Sequence, residues 1–191
     1  NLREGMRILD LGGGTGNFFC HGLPEELRGR CELIHLDSDA EMMSIAREKY
    51  RRHGLDVQLI HRDASKTIFP AGHLDCIVSV NALYAMPAPI QILRRALHWL
   101  RPGASLFLVD LGRVLNTSEW RSFLIKSNVP RMGTFRTLRT LLREGSVIAK
   151  ANREIVECQR DGTYWQHTTE ELRVVLERVG FELDDVRPVY R

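Results

Sequence analysis

The sequence predicts an α/β domain built on a doubly wound, mainly parallel sheet, with a helical cap inserted after the fifth strand. Three observations carry this expectation. Five short apolar runs alternate with helical segments or loops through residues 1–110. Several of those runs are apolar throughout rather than alternating, as strands covered on both faces are. Beyond Gly112 the rhythm changes, and residues 117–159 read as helical with no strand pattern.

The first strand is read at residues 7–11, where Ile8, Leu9 and Leu11 are apolar. Gly12-Gly13-Gly14-Thr15-Gly16 then forces a tight turn, since glycine adopts positive φ without a steric cost and lets a ligand approach the main chain. Phe18 and Phe19 are placed to pack a short helix on the sheet, which Gly22 and Pro24 interrupt. Cys31 to Leu36 form the second strand, closed by Asp37. Ser38 or Asp39 caps a helix to about His53, with Met42, Met43, Ile45 and Ala46 as its apolar stripe and Gly54 as its stop. Val57 to His61 is the third strand and Leu74 to Val80 the fourth. Pro87 and Pro89 open a helix that runs to Leu100, Arg101-Pro102-Gly103 breaks it, and Ala104 to Asp110 is the fifth strand. In the cap, Phe135, Leu138, Leu141 and Leu142 share one helical face, with Arg136, Arg139 and Arg143 largely on others. Thr168 or Thr169 caps a helix through Arg178, Gly180 stops it, and Phe181 to Val186 make a sixth strand.

Composition narrows the class. The 191 residues fit one domain, read as residues 1–191 with the cap at about 113–160. Hydrophobic residues at 43% and charged residues at 27% are ordinary for a water-borne fold, and no apolar run approaches a membrane span. No signal-peptide pattern opens the chain, and without an initiator Met its start is expected to lie upstream. Cys20, Cys31, Cys76 and Cys158 lack metal-ligand spacing, so no metal site is expected; reduced structural thiols point to the cytoplasm. The net charge of +3 is uneven, because residues 112–160 carry +6 and the remainder −3. A local basic excess fits an acidic substrate, a nucleic acid or simply a solvated face.

The glycine loop decides between cofactors. Dinucleotide folds use GxGxxG to seat a pyrophosphate on a helix N-terminus. Here Gly16 comes one residue early, Asn17 stands in the expected place, and Asp10 would repel a pyrophosphate. An acid at that position suits a cationic ligand, or orders the loop by accepting its N–H groups. Asp10-x-Gly12-x-Gly14-x-Gly16 resembles the first motif of the class I S-adenosylmethionine-dependent methyltransferases. The resemblance extends to Asp37, to Asp63-Ala64 after the third strand, to Asn81 to Tyr84 after the fourth, to Leu100-Arg101-Pro102-Gly103, and to the segment from Thr168 to Phe181. It implies the Rossmann-like fold of that family and S-adenosylmethionine as cofactor, with S-adenosylhomocysteine as product. It implies that backbone groups at Gly12 and Gly14, with Asp10, Gly13 and Gly16, hold the amino-acid end. It further implies that Asp37, with Ser38, binds the ribose hydroxyls, that Met42, Asp63 and Ala64 meet adenine, and that Asn81 lies near the methionine moiety. The family sheet has seven strands and a helix before the first. Their absence from this sequence leads us to expect a trimmed core, or otherwise a sheet with an open edge.

The implied reaction is transfer of a methyl group to a small-molecule acceptor, such as a secondary metabolite or a quinone-like compound, by in-line displacement. Such a transfer depends chiefly on proximity, orientation and exclusion of water, and needs a general base only for a protonated acceptor. Tyr84 and His167 are the catalytic candidates; His35, His61 and His98 are read as structural. Arg136, Arg139 and Arg143 are candidates to clamp a carboxylate or phosphate, which would make the acceptor anionic. RNA or protein methylation is the alternative within the family, although no Asn-Pro-Pro-Tyr-type motif follows the fourth strand and no nucleic-acid partner is expected. A nucleotide-dependent oxidoreductase and a non-catalytic cofactor-binding module are the readings from other classes.

Overall fold

The structure, a computed structural model, describes residues 2–113 and 116–188. Two units are delimited, one of residues 1–110 and 169–191 and the other of residues 111–168.

The first unit is a five-stranded parallel sheet in the order β3-β2-β1-β4-β5. Its strands are β1 (Arg7–Leu11), β2 (Glu32–Asp37), β3 (Gln58–His61), β4 (Leu74–Val80) and β5 (Leu100–Val109). β1 is central because it is apolar on both faces: Ile8, Leu9 and Leu11 are all buried. Ile8 lies beside Leu33 and Cys76 in the ladder, and these side chains join Phe19, Ala46, Tyr50 and Val78 in one core layer. Two residues further on, the same face carries Asp10 beside His35 and Val78.

Helix α1 (Ala40–His53) packs on β2 and β3. Asp39 starts it by accepting the N–H groups of Glu41 and Met42 at 2.8 and 3.0 Å, and Gly54 ends it at φ 62°. Its buried residues are Met43, Ala46 and Tyr50; Ile45, expected in the stripe, faces solvent because it lies one position off that face. Helix α2 (Pro89–Trp99) opens on Pro89 and buries Ile92, Leu93, Ala96 and Trp99. It packs on β5 and on α5, which spans Thr169–Val179.

Two expectations for this unit are corrected. Leu100 is the first residue of β5 rather than the end of a helix, and the Arg101-Pro102-Gly103 breaker is absorbed inside the strand. Leu74 pairs with Leu100 and Cys76 with Ser105, so the extra residues bulge out between the two pairs. No strand forms over Phe181–Val186, so the sheet has five strands among the described residues. The second unit contains α3 (Thr117–Met132) and α4 (Thr134–Arg160), which pack against each other. Phe135 at the start of α4 is exposed; the side chains of Leu138, Leu141, Leu142 and Arg143, with which it was expected to share or flank a face, lie outside the described ones.

Candidate functional site

In this strand order the chain leaves the carboxyl end of β1 toward one side and that of β4 toward the other, and such a parting is where open α/β sheets bind ligands. The glycine loop lies there. The Gly12 and Gly13 N–H groups donate to the Leu36 carbonyl at 2.8 and 3.3 Å, which folds the loop over the end of β2. The Gly14 N–H donates to Asp37 Oδ2 at 2.8 Å, and the Asp39 N–H donates to Asp37 Oδ1 at 2.9 Å. Lys49 ties the far side of the loop, donating to Thr15 Oγ1 and Asn17 Oδ1 at 2.9 and 2.7 Å.

Each glycine answers to a different neighbour. A Cβ on Gly12 would stand 2.5 Å from the Ala82 methyl and 2.6 Å from the tip of Met86, so the segment after β4 packs directly on the loop. A Cβ on Gly16 would meet the Tyr50 ring at 2.7 Å, and one on Gly13 would meet the His35 ring at 2.5 Å and Asp10 Oδ2 at 2.7 Å. A Cβ on Gly14 would meet nothing within 4 Å, so this residue borders open space.

The remaining predicted residues line the same edge of the sheet. Asp37 pairs in register with His61, which places Asp37 and Asp63 at the ends of neighbouring strands. Asp63 accepts the Ser65 N–H at 2.7 Å and caps the turn Ala64–Lys66; hydrogen bonding by Ser65 holds its carboxyl below the usual range. Ala64 is buried, Ser38 is exposed with its carbonyl bonded to His61 Nε2 at 3.0 Å, and Met42 is half-buried in the first turn of α1. Asn81 takes φ 53° at the end of β4 and donates its N–H to the Val109 carbonyl at 2.7 Å. Tyr84 follows in the turn Leu83–Ala85, buried, its N–H donated to Asp110 Oδ1 at 3.1 Å.

Asp10 is almost wholly enclosed, and its Oδ2 has no hydrogen-bond partner. Burial, with the Asp37 charge adding to it, raises its carboxyl to about 7. Of the two roles weighed for an acid beside this loop, ordering it falls to Asp37, which holds the Gly14 N–H. His35 and Tyr50 complete the surroundings of Asp10, with His35 Nδ1 2.8 Å from Tyr50 Oη and 3.9 Å from Asp10 Oδ2. Burial keeps the His35 ring uncharged and holds the Tyr50 phenol above its usual range. The sequence reading assigned Asp10 but missed Lys49 and Tyr50, and treated His35 as ordinary core. A lone charged or polar residue on a helix gives no sign that it reaches a loop 34 residues earlier.

His167 belongs to the second unit. Its N–H donates to the Gly112 carbonyl at 2.7 Å, and its ring lies 4.5 Å from that of Trp165. It is buried there together with Gln159, whose Nε2 donates to the Arg113 carbonyl at 2.9 Å. No cluster of His, Cys, Asp or Glu suited to a metal ion occurs among the described residues, and none of their helices is long and apolar enough to cross a membrane.

A carboxylate after β2, a second after β3, an open glycine backbone after β1 and an unpartnered buried acid define a nucleoside-binding α/β fold. Within that class the chain is placed by comparison: a family described as "Methyltransferase domain" matches residues 8–103, half of the chain. The chain belongs to the S-adenosylmethionine-dependent methyltransferases, and S-adenosylmethionine is its cofactor. It is similar to the ubiquinone/menaquinone biosynthesis C-methyltransferase UbiE of Nitrosospira multiformis, with 26% identity over 95% of this chain and 69% of that one. It spans less than half the length of the UbiE proteins of Pseudomonas aeruginosa and Edwardsiella ictaluri. Among solved structures, a SAM-dependent methyltransferase from Aquifex aeolicus is 26% identical, with a TM-score of 0.51 over 67% of this chain and 73% of that one. A putative methyltransferase from Bacillus halodurans shares the fold, with a TM-score of 0.63 over 96% of this chain and 66% of that one at 18% identity. The oxidoreductase reading is set aside by this membership.

The residues present fit the cofactor. Asp37 has two oxygens that each accept one backbone N–H and keep capacity for a ribose hydroxyl. Asp63 uses one oxygen on Ser65 and keeps capacity for an exocyclic amine. The unpartnered Asp10 oxygen and the open face of Gly14 suit a cationic amino-acid end.

Proposed function

We propose that the chain methylates a small-molecule acceptor, a quinone-like ring compound being the class that fits best, and that the site at the carboxyl ends of β1 to β4 performs the transfer. The acceptor class rests on the likeness to a quinone-biosynthesis C-methyltransferase, which runs over 95% of the chain. The observation that carries the site is the meeting of Asp37, Gly14 and the Asp10 carboxyl at one sheet edge.

The cofactor supplies a methyl group already activated by a positive sulfur. What remains for the protein is to hold, align and exclude water. Asp37, Asp63 and the glycine loop hold; Ala82 and Met86, packed on Gly12, fix the segment that carries Asn81 and Tyr84 against the loop. Tyr84 is proposed to orient the acceptor through its hydroxyl. His167 is proposed as base or orienter: it takes the hydroxyl proton as the ring carbon attacks the methyl, and the hydrogen then lost as a proton from that carbon restores the aromatic ring and its hydroxyl, while Gly112 and Trp165 lie against the His167 ring. Residues 113–160, which lie outside the family match, are proposed to select the acceptor, with Arg136 and Arg139 exposed for an anionic group.

The test is transfer of labelled methyl from S-adenosylmethionine to a panel of quinols, phenols, total RNA and protein. Label on ring carbons of a quinol is expected. Label confined to RNA or protein overturns the acceptor class.

A further inference from the structure

Lys49 reaches the glycine loop from α1. Its Nζ donates to Thr15 Oγ1 at 2.9 Å and to Asn17 Oδ1 at 2.7 Å, so one ammonium bridges the residues on either side of Gly16. The next residue, Tyr50, sets its ring 2.7 Å from where a Gly16 Cβ would stand. Gly16 itself takes φ 76° and donates its N–H to the Gly13 carbonyl at 2.9 Å. Two consecutive side chains of one helix thus grip one turn of the loop. The start of the same helix is tied to the loop as well, because the Asp39 and Gly14 N–H groups share the Asp37 carboxylate at 2.9 and 2.8 Å. Gly14, where a Cβ would meet no atom within 4 Å, is held by Asp37 on its own N–H and by Lys49 through Thr15.

Lys49 has no acid to serve on its own helix. Ile45 and His53 stand four residues to either side of it, and Ala46 and Arg52 three. Glu48 is taken by Arg51 and Arg52, at 2.9 and 2.8 Å. Among the described residues no carboxylate forms an ion pair with the Lys49 ammonium. Fixing so long a side chain costs rotamer freedom, and what it fixes is the turn from Thr15 to Asn17. We propose that Lys49 is a positioning residue of the methyl-transfer site: from α1 it braces Thr15 and Asn17, so that the loop backbone already has the shape that takes the amino-acid end of the cofactor. This rests on the reading that the glycine loop holds that end. A loop ordered before binding loses less freedom when the ligand arrives, so the brace adds affinity without touching the ligand. The proposed adenosine contacts, Asp37 and Asp63, are held without Lys49. Loss of the brace is therefore felt by a ligand with an amino-acid end and not by one without it.

Calorimetric titration tests this with S-adenosylhomocysteine and with methylthioadenosine, which carries the nucleoside and the sulfur but no amino-acid end. The proteins are the wild type, Lys49→Met, Lys49→Arg, Asn17→Ala and the double variant Lys49→Met with Asn17→Ala. Lys49→Met keeps the length of the side chain and removes its donors. It should bind S-adenosylhomocysteine about tenfold more weakly and methylthioadenosine within roughly twofold of the wild type. Lys49→Arg keeps N–H donors at the loop and should recover most of the loss. The double variant should bind S-adenosylhomocysteine no more weakly than Lys49→Met, because both changes break one brace; additive losses overturn the proposal. Equal weakening toward both ligands, in step with a lower melting temperature, assigns Lys49 to the stability of the fold and overturns it too. Asn17→Ala lies at an exposed position and carries the test even where Lys49→Met fails to fold. It should cost about threefold in S-adenosylhomocysteine affinity, and no change overturns the proposal. A wild type that binds neither ligand, or binds methylthioadenosine as tightly as S-adenosylhomocysteine, overturns the reading of the loop itself, and this proposal with it.

Discussion

Asp37 and Gly14 stand 23 residues apart in the chain and are joined by a 2.8 Å hydrogen bond from the Gly14 N–H to the Asp37 Oδ2. The same carboxylate thus shapes the loop and is the proposed ribose ligand. Asp37→Ala removes both roles. It is expected to weaken S-adenosylhomocysteine binding by about 1.5–3 kcal/mol, the range for a lost charge-assisted bond. Calorimetry checks it, and unchanged affinity rules out the ribose assignment.

Gly14 and Gly13 separate binding from packing. Gly14 sits at φ 53° and a Cβ there meets no atom within 4 Å, so the direct cost of Gly14→Val is its left-handed backbone. The strain is roughly 1–2 kcal/mol, and the domain should stay folded while cofactor binding is lost. Gly13→Ala instead drives a methyl into His35 and Asp10, an overpacking costing about 1–3 kcal/mol. Adding His35→Ala makes room, so the double variant should be more stable than the sum of the single effects; strict additivity in thermal melts would show that His35 does not floor the loop.

Much of the candidate site was legible as a grouping at one edge of the sheet because its residues announce themselves in short stretches. Asp10 to Gly16 follows an apolar run, and Asp37 and Asp63 close the strands that precede them. The helix start at Asp39 and stop at Gly54 follow from local capping chemistry, which needs no tertiary information. What stayed hidden depends on distant partners. Arg101-Pro102-Gly103 reads as a breaker, yet β4 draws these residues into β5 through a bulge, with Arg101 Nε 2.5 Å from Asp75 Oδ1. Phe181 to Val186 has strand-like residues but no strand, because such a run becomes a strand only with a neighbour to pair with. The His35–Tyr50 bond joins a strand to a helix 15 residues later, and neither residue type signals it.

Stability should depend on pH through Asp10. Its folded carboxyl is raised to about 7 from its ordinary value of 3.8. Between those values the native state holds a proton that the unfolded chain releases, so this group's contribution falls as pH rises from about 4 to 7. His35 works the other way, because its ring stays neutral when folded and its contribution is lost as pH falls below 6.5. The difference between wild type and Asp10→Asn isolates the first effect. The variant is expected to gain on the order of 2–4 kcal/mol at pH 7.5 and almost nothing at pH 4. Chemical denaturation at the two pH values measures it, and an equal difference at both removes Asp10 as the source.

Tyr84→Phe tests the proposed orienting hydroxyl. The ring, which is buried, keeps its volume, and its backbone N–H to Asp110 is untouched. If the hydroxyl orients the acceptor, kcat should fall by roughly 10–100-fold with S-adenosylhomocysteine affinity unchanged. Loss of cofactor affinity or of melting temperature alone would assign Tyr84 to packing.

Asn81 combines an unusual backbone with a proposed contact, and two variants part them. At φ 53° an asparagine is tolerated, a glycine is unstrained and an alanine is strained by about 1 kcal/mol. Asn81→Gly is therefore expected to melt at or above the wild-type temperature, and Asn81→Ala a few degrees lower. The Asn81 N–H bond to Val109 survives in both, so the end of β4 stays tied to β5. Neither variant keeps the amide. If the side chain touches the methionine moiety, both should bind S-adenosylhomocysteine more weakly by a similar factor, about 3–10-fold for one neutral hydrogen bond. If Asn81 is present only for its backbone, Asn81→Gly binds as the wild type does and Asn81→Ala falls with its stability. Equal affinities for wild type and Asn81→Gly would thus remove Asn81 from the cofactor's contacts and leave it as the turn that aims Tyr84.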